Sequence, residues 1–192
     1  MSCAQKTQIG KAILVATLFI VVVIGAFYFA QQVTQNEALL SFLGQYGYFS
    51  VLVLAIISGL NAIVPVPAAS FVPVFTEAGL ELHLIILMLI IGTTIADSIG
   101  YVFGSLSRDY VHARYPKIVT KIETFHNQHR EWVLPVVVLY AAVVPFPNEA
   151  IVIPLALLGC GYRNLLFALI LGNTINQTAL AYGATNIFML LF

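Results

Sequence analysis

Apolar runs of membrane length dominate this chain and leave it few ways to fold. One of them, Ala12–Ala30, has 19 residues, and 60% of the 192 residues are hydrophobic while only 8% are charged. A typical soluble domain has about 25% charged residues, and no soluble core of this size hides so much apolar surface. The solvent for that surface is therefore lipid. This predicts an all-α integral membrane protein, because helices satisfy their own backbone hydrogen bonds in a bilayer.

The N-terminal apolar run is predicted to be a transmembrane anchor. Ala12–Ala30 follows Lys6 and Lys11 and is long enough to cross about 30 Å of hydrocarbon. A cleaved signal peptide is the competing interpretation, but its apolar core typically has about 7–15 residues. We therefore expect residues 1–33 to form a cytoplasmic tail followed by a retained anchor.

The next part of the chain, residues 34–104, is predicted to start with a helix along the membrane surface. Thr34 and Glu37 fit a capping box. Apolar residues then recur on one face of Asn36–Tyr48, which is typical of an interfacial helix. This helix would lie flat before the chain enters the bilayer.

Two prolines break the apolar segment that follows. Pro65 and Pro67 fix φ, remove amide donors and disfavour helix in the residues before them. A span needs about 20 residues, and each arm beside this break is shorter. We therefore predict a re-entrant hairpin over residues 49–80, which enters the membrane and leaves on the same side. A full span is predicted over residues 84–103.

The second part of the chain repeats this order. Residues 105–131 form a charged, basic stretch with apolar residues at helical spacing, which predicts a second interfacial helix on the cytoplasmic side. Pro145 and Pro147 break the next apolar segment, so residues 132–192 are predicted to hold a second hairpin and a last span. The hairpin would cover residues 132–161, and the span residues 165–182.

An internal repeat relates the two halves at an offset of 80 residues. Three matches keep this register: Val64–Pro67 with Val144–Pro147, Gly79 with Gly159, and Gly92–Ile95 with Gly172–Ile175. A hairpin returns to its own side and one span then crosses, so the second half begins on the opposite face. The sequence therefore predicts an inverted repeat.

The basic residues agree with one orientation of this topology. If the N-terminus is cytoplasmic, every Lys and Arg faces the cytoplasm, as the positive-inside rule requires. These residues are Lys6, Lys11, Arg108, Arg114, Lys117, Lys121, Arg130 and Arg163. We expect a multi-pass protein of the cell (inner or plasma) membrane with its C-terminus outside.

Short, Pro-interrupted segments at corresponding positions of two inverted halves indicate a transport site near the midplane. The half-helices after the proline pairs would aim their N-termini at a shared cavity, where partial positive charge favours an anion such as a phosphate head group. The candidate pathway residues are Glu149, Asp97, Asn148, Pro65, Pro67, Pro145 and Pro147.

The two acids each have an alternative interpretation. An acid at membrane depth is costly and therefore a functional candidate, and Glu149 could carry a coupling proton or line the substrate path. Alternatively, Asn148 is a helix N-cap and Glu149 sits in the first turn, where the helix dipole favours it. Asp97 could instead bond polar residues of the last span, namely Asn173, Asn176 and Gln177.

Three more charged residues lie near the ends of the hairpins. Glu77 could line the outer mouth of the first hairpin, while Arg163 and Arg108 could contact lipid phosphate. For Glu77 a solvated loop position is the favoured alternative, and for Arg163 the alternative is a plain anchor on the cytoplasmic side. No metalloprotease, nucleophile-elbow or phosphate-loop motif occurs. We expect no enzyme activity, catalytic residue, cofactor or metal. Membrane lipids are the expected partners and nucleic acid is not, and a homo-oligomer is left open.

Residues 40–185 resemble the DedA/VTT family, also called the SNARE-associated Golgi protein family. The resemblance rests on the Pro-rich first hairpin ending in Gly79, on Gly92–Gly104 (GTTIADSIGYVFG) and on Val144–Gly159 (VPFPNEAIVIPLALLG). The middle string is similar to the family pattern Gly-Asp-x-x-Gly-Tyr-x-x-Gly, with Ala96 in place of the first glycine. The matching residues are Asp97, Gly100, Tyr101 and Gly104.

This resemblance implies opposed re-entrant hairpins and lipid translocation. Bacterial members are linked to recycling of undecaprenyl phosphate or phospholipids, some with proton coupling, and eukaryotic relatives to lipid scrambling. The chain departs from the bacterial pattern at Ala142 and Asn148, where paired arginines would fall, and at Ala69, where an acid would fall. An acid occurs instead at the corresponding position of the second half, Glu149. The scaffold and Asp97 carry over, whereas the arginine-based phosphate site does not.

The expected function is therefore that of a DedA/VTT-type transporter, which moves a phospholipid or a polyprenyl-phosphate-like lipid between leaflets. Two alternatives remain open. One is a proton- or cation-coupled transporter of a small solute, with Glu149 titrating during the cycle. The other is a membrane scaffold that transports nothing and whose repeats are only structural.

Overall fold

A computed structural model describes residues 35–60, 68–144 and 146–191, together with residues 31–33 and isolated positions 17, 21, 24, 25 and 28. Apart from those five positions, the predicted anchor over residues 12–30 lies outside the described residues. Pro65, Pro67 and Pro145 also lie outside them. All regular structure in the described part of the chain is helical.

From residue 37 onward, eight α-helices follow one another in the described residues. They are α1 (Glu37–Gly59), α2 (Val72–Glu77), α3 (Leu82–Leu106), α4 (Arg108–Arg114), α5 (Pro116–Gln128), α6 (Arg130–Val143), α7 (Glu149–Leu157) and α8 (Tyr162–Leu191). A 3₁₀ turn, Ala68–Phe71, precedes α2. The predicted spans 84–103 and 165–182 fall inside α3 and α8, and both helices are longer than predicted.

Three of these helices are long and apolar enough to cross a membrane: α1, α3 and residues 162–190 of α8. Large apolar side chains stay exposed along them, including Phe49, Phe103 and Phe167, each more than 60% exposed. An exposed apolar face of this length suits contact with lipid. The described part of the chain is therefore all-α, with three helices able to span a membrane.

The start of α1 differs from the predicted capping box. Asn36, not Thr34, is the N-cap, and its Oδ1 accepts hydrogen bonds from the amides of Ala38 and Leu39 at 3.1 and 3.2 Å. The short Asn side chain reaches the free amides of the first turn. Thr34 lies outside the described residues, and Asn36 holds the N-cap position that the predicted capping box assigned to Thr34.

A glycine divides α1 into two segments. Gly47 has φ 51° and ψ −134°, which no helix accommodates, and glycine adopts a positive φ without strain. The break falls where the predicted surface helix, 36–48, gives way to the apolar segment. Residues 37–46 and 48–59 are thus separate helical stretches.

The charged stretch between the halves also differs from prediction. One interfacial helix was expected in residues 105–131, but two helices occupy it, α4 and α5, separated at Tyr115. Pro116 starts α5 and disfavours helix in the residue before it. Tyr115 accordingly leaves the helical region, with φ −131° and ψ 51°.

Close helix pairs form at corresponding glycines. A Cβ added to Gly92 of α3 would lie 2.4 Å from the Ala55 Cβ of α1, and one added to Gly172 of α8 would lie 2.5 Å from the Ala141 Cβ of α6. The absence of a side chain lets each pair of backbones approach closely, as small residues do in membrane helices.

The spacing of these contacts corrects the predicted register. The glycines are 80 residues apart, but Ala55 and Ala141 are 86 apart (141 − 55). The buried Val51 and Val137 are also 86 apart (137 − 51). The helices that precede the two proline pairs, α1 and α6, are therefore related by an offset of 86 residues. This is six residues more than the offset of the proline and glycine motifs.

The short helices pack across the molecule against the long helix of the other half, in addition to contacts within their own half. The 3₁₀ turn and α2 contact α8, and Ala181 of α8 joins the apolar cluster around Ala69 and Val72. Conversely, α7 packs along α3, where a Cβ on Gly104 would lie 2.7 Å from the Ile153 carbonyl oxygen. Each long helix thus carries the short helix of the other half.

The turns that end α2 and α7 have the same pattern of backbone hydrogen bonds. Gly79 and Gly159 have positive φ, 87° and 76°. The amides of these glycines bond the carbonyls of Thr76 and Ala156, and the amides after them bond the carbonyls of Phe75 and Leu155. Glycine in this position is typical of a Schellman motif. The two turns are 80 residues apart, as the sequence predicted.

Adding a methyl group at the close contacts should loosen the fold. Gly92→Ala and Gly172→Ala each place a Cβ within 2.5 Å of a facing Cβ, and overpacking of this kind costs about 1–3 kcal/mol. We expect both variants to unfold at lower temperature in detergent. The control is Gly183→Ala, because nothing lies within 4 Å of a Cβ there. Equal melting temperatures for all three would contradict the packing.

Candidate functional site

Buried polar side chains collect where α3, α7 and α8 meet. Asp97 lies on α3, Glu149 on α7, and Asn173 and Gln177 on α8, and each is no more than 8% exposed. The half-buried Asn148 precedes α7. The rest of the buried interior is largely apolar, so these five residues, named the Asp97 cluster here, form the candidate functional site.

Two side-chain amides donate hydrogen bonds to the carboxylate of Asp97. Its Oδ2 accepts a hydrogen bond from Asn173 Nδ2 at 2.7 Å and one from Asn148 Nδ2 at 3.1 Å. The Asn148 amide also donates to Asn173 Oδ1 at 3.0 Å. A buried charge is tolerated only with such partners. The three side chains therefore form a closed triangle that ties three helices together.

Asn148 does not serve as the side-chain cap that one interpretation proposed. It occupies the N-cap position of α7 with φ −63° and ψ −23°, but its side chain makes no capping hydrogen bond. The side chain reaches instead to Asp97 on α3 and Asn173 on α8. A helical backbone at this position directs the amide away from the first turn. Asn148 is thus the N-cap residue by position and Glu149 lies in the first turn, as that interpretation held, but the Asn148 side chain bridges helices instead of capping α7.

Glu149 is the unpaired acid of the cluster. It is 8% exposed, and neither carboxyl oxygen has a hydrogen-bond partner among the described residues. Its Cγ packs against α3, where a Cβ on Gly100 would lie 3.2 Å away. Gly100 is one turn beyond Asp97 on the same face, so the two acids are neighbours. An unpaired buried carboxyl group costs several kcal/mol, and a bound proton or ligand relieves that cost.

The polar residues of α8 divide between the cluster and the backbone. Asn173 bonds Asp97, as one sequence interpretation held. The Asn176 amide instead donates to the carbonyl oxygen of Ala142 at 3.1 Å, near the end of α6. Gln177 Oε1 is buried and has no partner in the described part of the chain. In the described residues, unpaired buried acceptors thus lie on both α7 and α8.

The Gly100–Gly104 part of α3 fixes α7 in place. Both glycines are buried against α7, and Tyr101 donates its hydroxyl to the Cys160 carbonyl oxygen at 2.7 Å. The ring of Tyr101 lies 5.0 Å from that of Tyr162, whose hydroxyl bonds Ser98 Oγ at 2.9 Å. Sequence reasoning missed Tyr162 and Ser98, because no local pattern shows that α3 and the start of α8 touch.

The other predicted site residues lie elsewhere. Pro147 is half-buried, and its carbonyl oxygen accepts a hydrogen bond from Tyr140 at 3.3 Å. Glu77 is exposed at the end of α2, Arg163 is exposed in the first turn of α8, and the guanidinium of Arg108 lies against Gly159. No hydrogen bond among the described residues joins the three charged ones to the Asp97 cluster.

Comparisons with protein-family models, with curated proteins and with solved structures found no match to this chain. The site is accordingly interpreted from its own chemistry. It is an acid held by two amides, with a second acid beside it that is buried and unpaired.

Removing one amide from the triangle should destabilise the protein. Asn173→Ala leaves Asp97 without its 2.7 Å hydrogen bond, and an unmet bond to a buried charge costs about 1–3 kcal/mol. We expect a lower melting temperature in detergent. Thr174→Ala is the control, because Thr174 is exposed and its hydroxyl bonds only the Ile170 carbonyl of its own helix. If both variants melt alike, the triangle does not stabilise the fold.

Proposed function

We propose that this protein is a DedA/VTT-type membrane transporter that moves lipid between leaflets, with the Asp97 cluster on the path of the head group. The observation that carries the proposal is the unpaired, buried carboxyl group of Glu149 beside Asp97. Evolution tolerates an acid of this kind inside a membrane mainly where it binds or moves something.

Matched contacts support an inverted repeat. The turns at Gly79 and Gly159, the helix pairs at Gly92 and Gly172, and the crosswise packing of the short helices occur twice. Repeats of opposite orientation place substrate sites at their interface near the midplane. In the proposed arrangement the Asp97 cluster lies at such an interface, since α3 belongs to one half and α7 and α8 to the other.

Segment lengths support the re-entrant hairpins. At about 1.5 Å per residue, residues 48–59 extend ~18 Å, α6 ~21 Å and α7 ~14 Å, all less than the ~30 Å of hydrocarbon. The proline pairs fall between such short segments in both halves. Residues 37–59 span a bilayer only if the two segments of α1 are collinear, and the Gly47 break opposes that.

Lipid is the favoured substrate because the protein offers both apolar surface and a polar cluster. Exposed apolar faces on α3 and α8 are compatible with acyl chains, while the cluster offers amides and acids to a polar head group. Irregular backbone at membrane depth is tolerated where it lines a polar cavity. In the proposed topology the N-terminus is cytoplasmic and the C-terminus lies outside.

A proton- or cation-coupled transporter of a small solute is the second candidate. The unpaired Glu149 carboxyl group favours it, because such a group can take up a proton or a cation during a transport cycle. The two candidates differ in their cargo, so cargo is what an experiment must measure.

Replacing Glu149 should impair lipid movement. In proteoliposomes with fluorescent phospholipid, the wild-type protein should equilibrate the lipid between leaflets faster than protein-free vesicles. Glu149→Gln keeps the shape and removes the ionisable group, and we expect about a tenfold slower rate, or ~1.4 kcal/mol of barrier. Glu37→Gln, at an exposed acid in the first turn of α1, is the matched control.

The possible outcomes separate the candidates. Wild-type rates equal to those of empty vesicles for every lipid tried would exclude lipid translocation. Proton uptake that depends on Glu149 would then favour solute transport. Full lipid movement by Glu149→Gln combined with Asp97→Asn would show that the cluster is structural.

A further inference from the structure

A polar cavity lies outside the Asp97 cluster, where α5 and α6 meet the turn between α7 and α8. Its volume is about 240 Å³, and it is named the turn cavity here. The polar side chains that line it are His126, Arg130, Cys160 and Asn164. Pockets for drug-sized molecules have about 300–1,000 Å³, so this one suits a single small polar group.

The charged side chain that lines the turn cavity is Arg130. Burial raises the pKa of the Cys160 thiol, and the positive charge of Arg130 lowers that pKa again in part. His126 Nε2 lies 3.5 Å from Cys160 Sγ. No described lining residue is acidic, and Arg130 forms no ion pair with another described residue. The lining of the cavity therefore holds a cation and no described acid.

Two helices begin at the turn cavity. Arg130 is the first residue of α6, and Asn164 lies in the first turn of the 30-residue α8. The first amides of a helix have no acceptor within it and carry partial positive charge. Both helix ends thus add to the field of the guanidinium.

The end of α7 contributes little opposing charge. The Leu157 carbonyl oxygen lies 3.1 Å from His112 Nε2, and the Cys160 carbonyl oxygen accepts the 2.7 Å hydrogen bond from Tyr101. Two of the carbonyl groups that could repel an anion are therefore already engaged. A cation, an imidazole and an amide remain around a space of limited volume.

We infer that the turn cavity binds a phosphate group, which Arg130 holds by charge and His126 and Asn164 by hydrogen bonds. Arginine pairs well with phosphate because its planar donors match two oxygens. The neighbouring Trp132 is 66% exposed and Leu134 37%, so apolar surface adjoins the cavity. A phosphate on a lipid head group and a free phosphate ion share the required chemistry. The site is separate from Glu149, and its occupancy does not depend on translocation.

Cys160 provides a direct probe of occupancy. The chain has two cysteines, so Cys3→Ser leaves only the thiol in the cavity. A maleimide should label this protein in detergent, and a bound phosphate group should slow labelling. The probes are dihexanoyl phosphatidic acid, inorganic phosphate and dihexanoylglycerol, which lacks the phosphate. At about ten times its dissociation constant, a ligand slows labelling about tenfold.

Arg130→Gln tests the role of the guanidinium, and Arg130 is exposed, so the fold should tolerate the change. We expect binding to weaken about tenfold or more, as for lost hydrogen bonds to a charged group. Arg114→Gln, which removes an exposed cation outside the cavity, should keep full protection. Glu149→Gln should also keep it, which separates failure here from failure of the translocation proposal.

Protection by phosphatidic acid alone would assign the site to lipid head groups, and equal protection by inorganic phosphate would assign it to the free ion. Both results support a phosphate site if Arg130→Gln abolishes them. No protection by either probe, equal protection by dihexanoylglycerol, or unchanged protection in Arg130→Gln would overturn the inference.

Discussion

The hydrogen-bonded triangle of Asp97, Asn148 and Asn173 is the interaction on which the arrangement of the helices depends. Lipid offers no polar partner, so the carboxylate of Asp97 must find its donors within the protein. Those donors come from α8 and from the residue before α7. The triangle can form only because Gly100 and Gly104 let α7 lie directly on α3. Small residues and a buried acid therefore act together to join the two halves.

The two halves are similar in backbone but not in chemistry. At the offset of 80, Asp97 corresponds to Gln177, and Glu149 to Ala69. Ala69 is 1% exposed and packs in an apolar cluster, whereas Glu149 is buried without a partner. Both acids therefore lie at the contact of α3 with α7, whereas the corresponding contact of α8 with the 3₁₀ turn and α2 holds Gln177 and Ala69 instead. In the proposed transporter, this asymmetry gives a single polar site between the halves instead of two.

Much of the fold could be predicted from the sequence because glycine and proline act locally. The two spans and the positions of Gly79 and Gly159 follow from composition and backbone geometry alone, and the structure agrees with them. The cap at Asn36 could not be predicted, because Thr34 is an equally suitable cap residue. The 86-residue offset between Ala55 and Ala141 could not be predicted either, because the spacing of motifs does not show which residues pack together. Within the site, Asp97 and Glu149 were visible as acids in apolar surroundings. The bridging role of Asn148 was not, because it depends on helices that meet only in three dimensions.

Opposite orientation of the two halves is the central claim, and the corresponding turns test it most directly. Leu80 and Cys160 occupy equivalent places just after Gly79 and Gly159. Two single-cysteine proteins would be compared: Cys3→Ser, and Cys3→Ser with Cys160→Ser and Leu80→Cys. The measurement is labelling by a membrane-impermeant maleimide in sealed vesicles of known orientation. The inverted arrangement predicts that Cys160 reacts only from the cytoplasmic side and the cysteine at position 80 only from the opposite side. Labelling of both from the same side would contradict it.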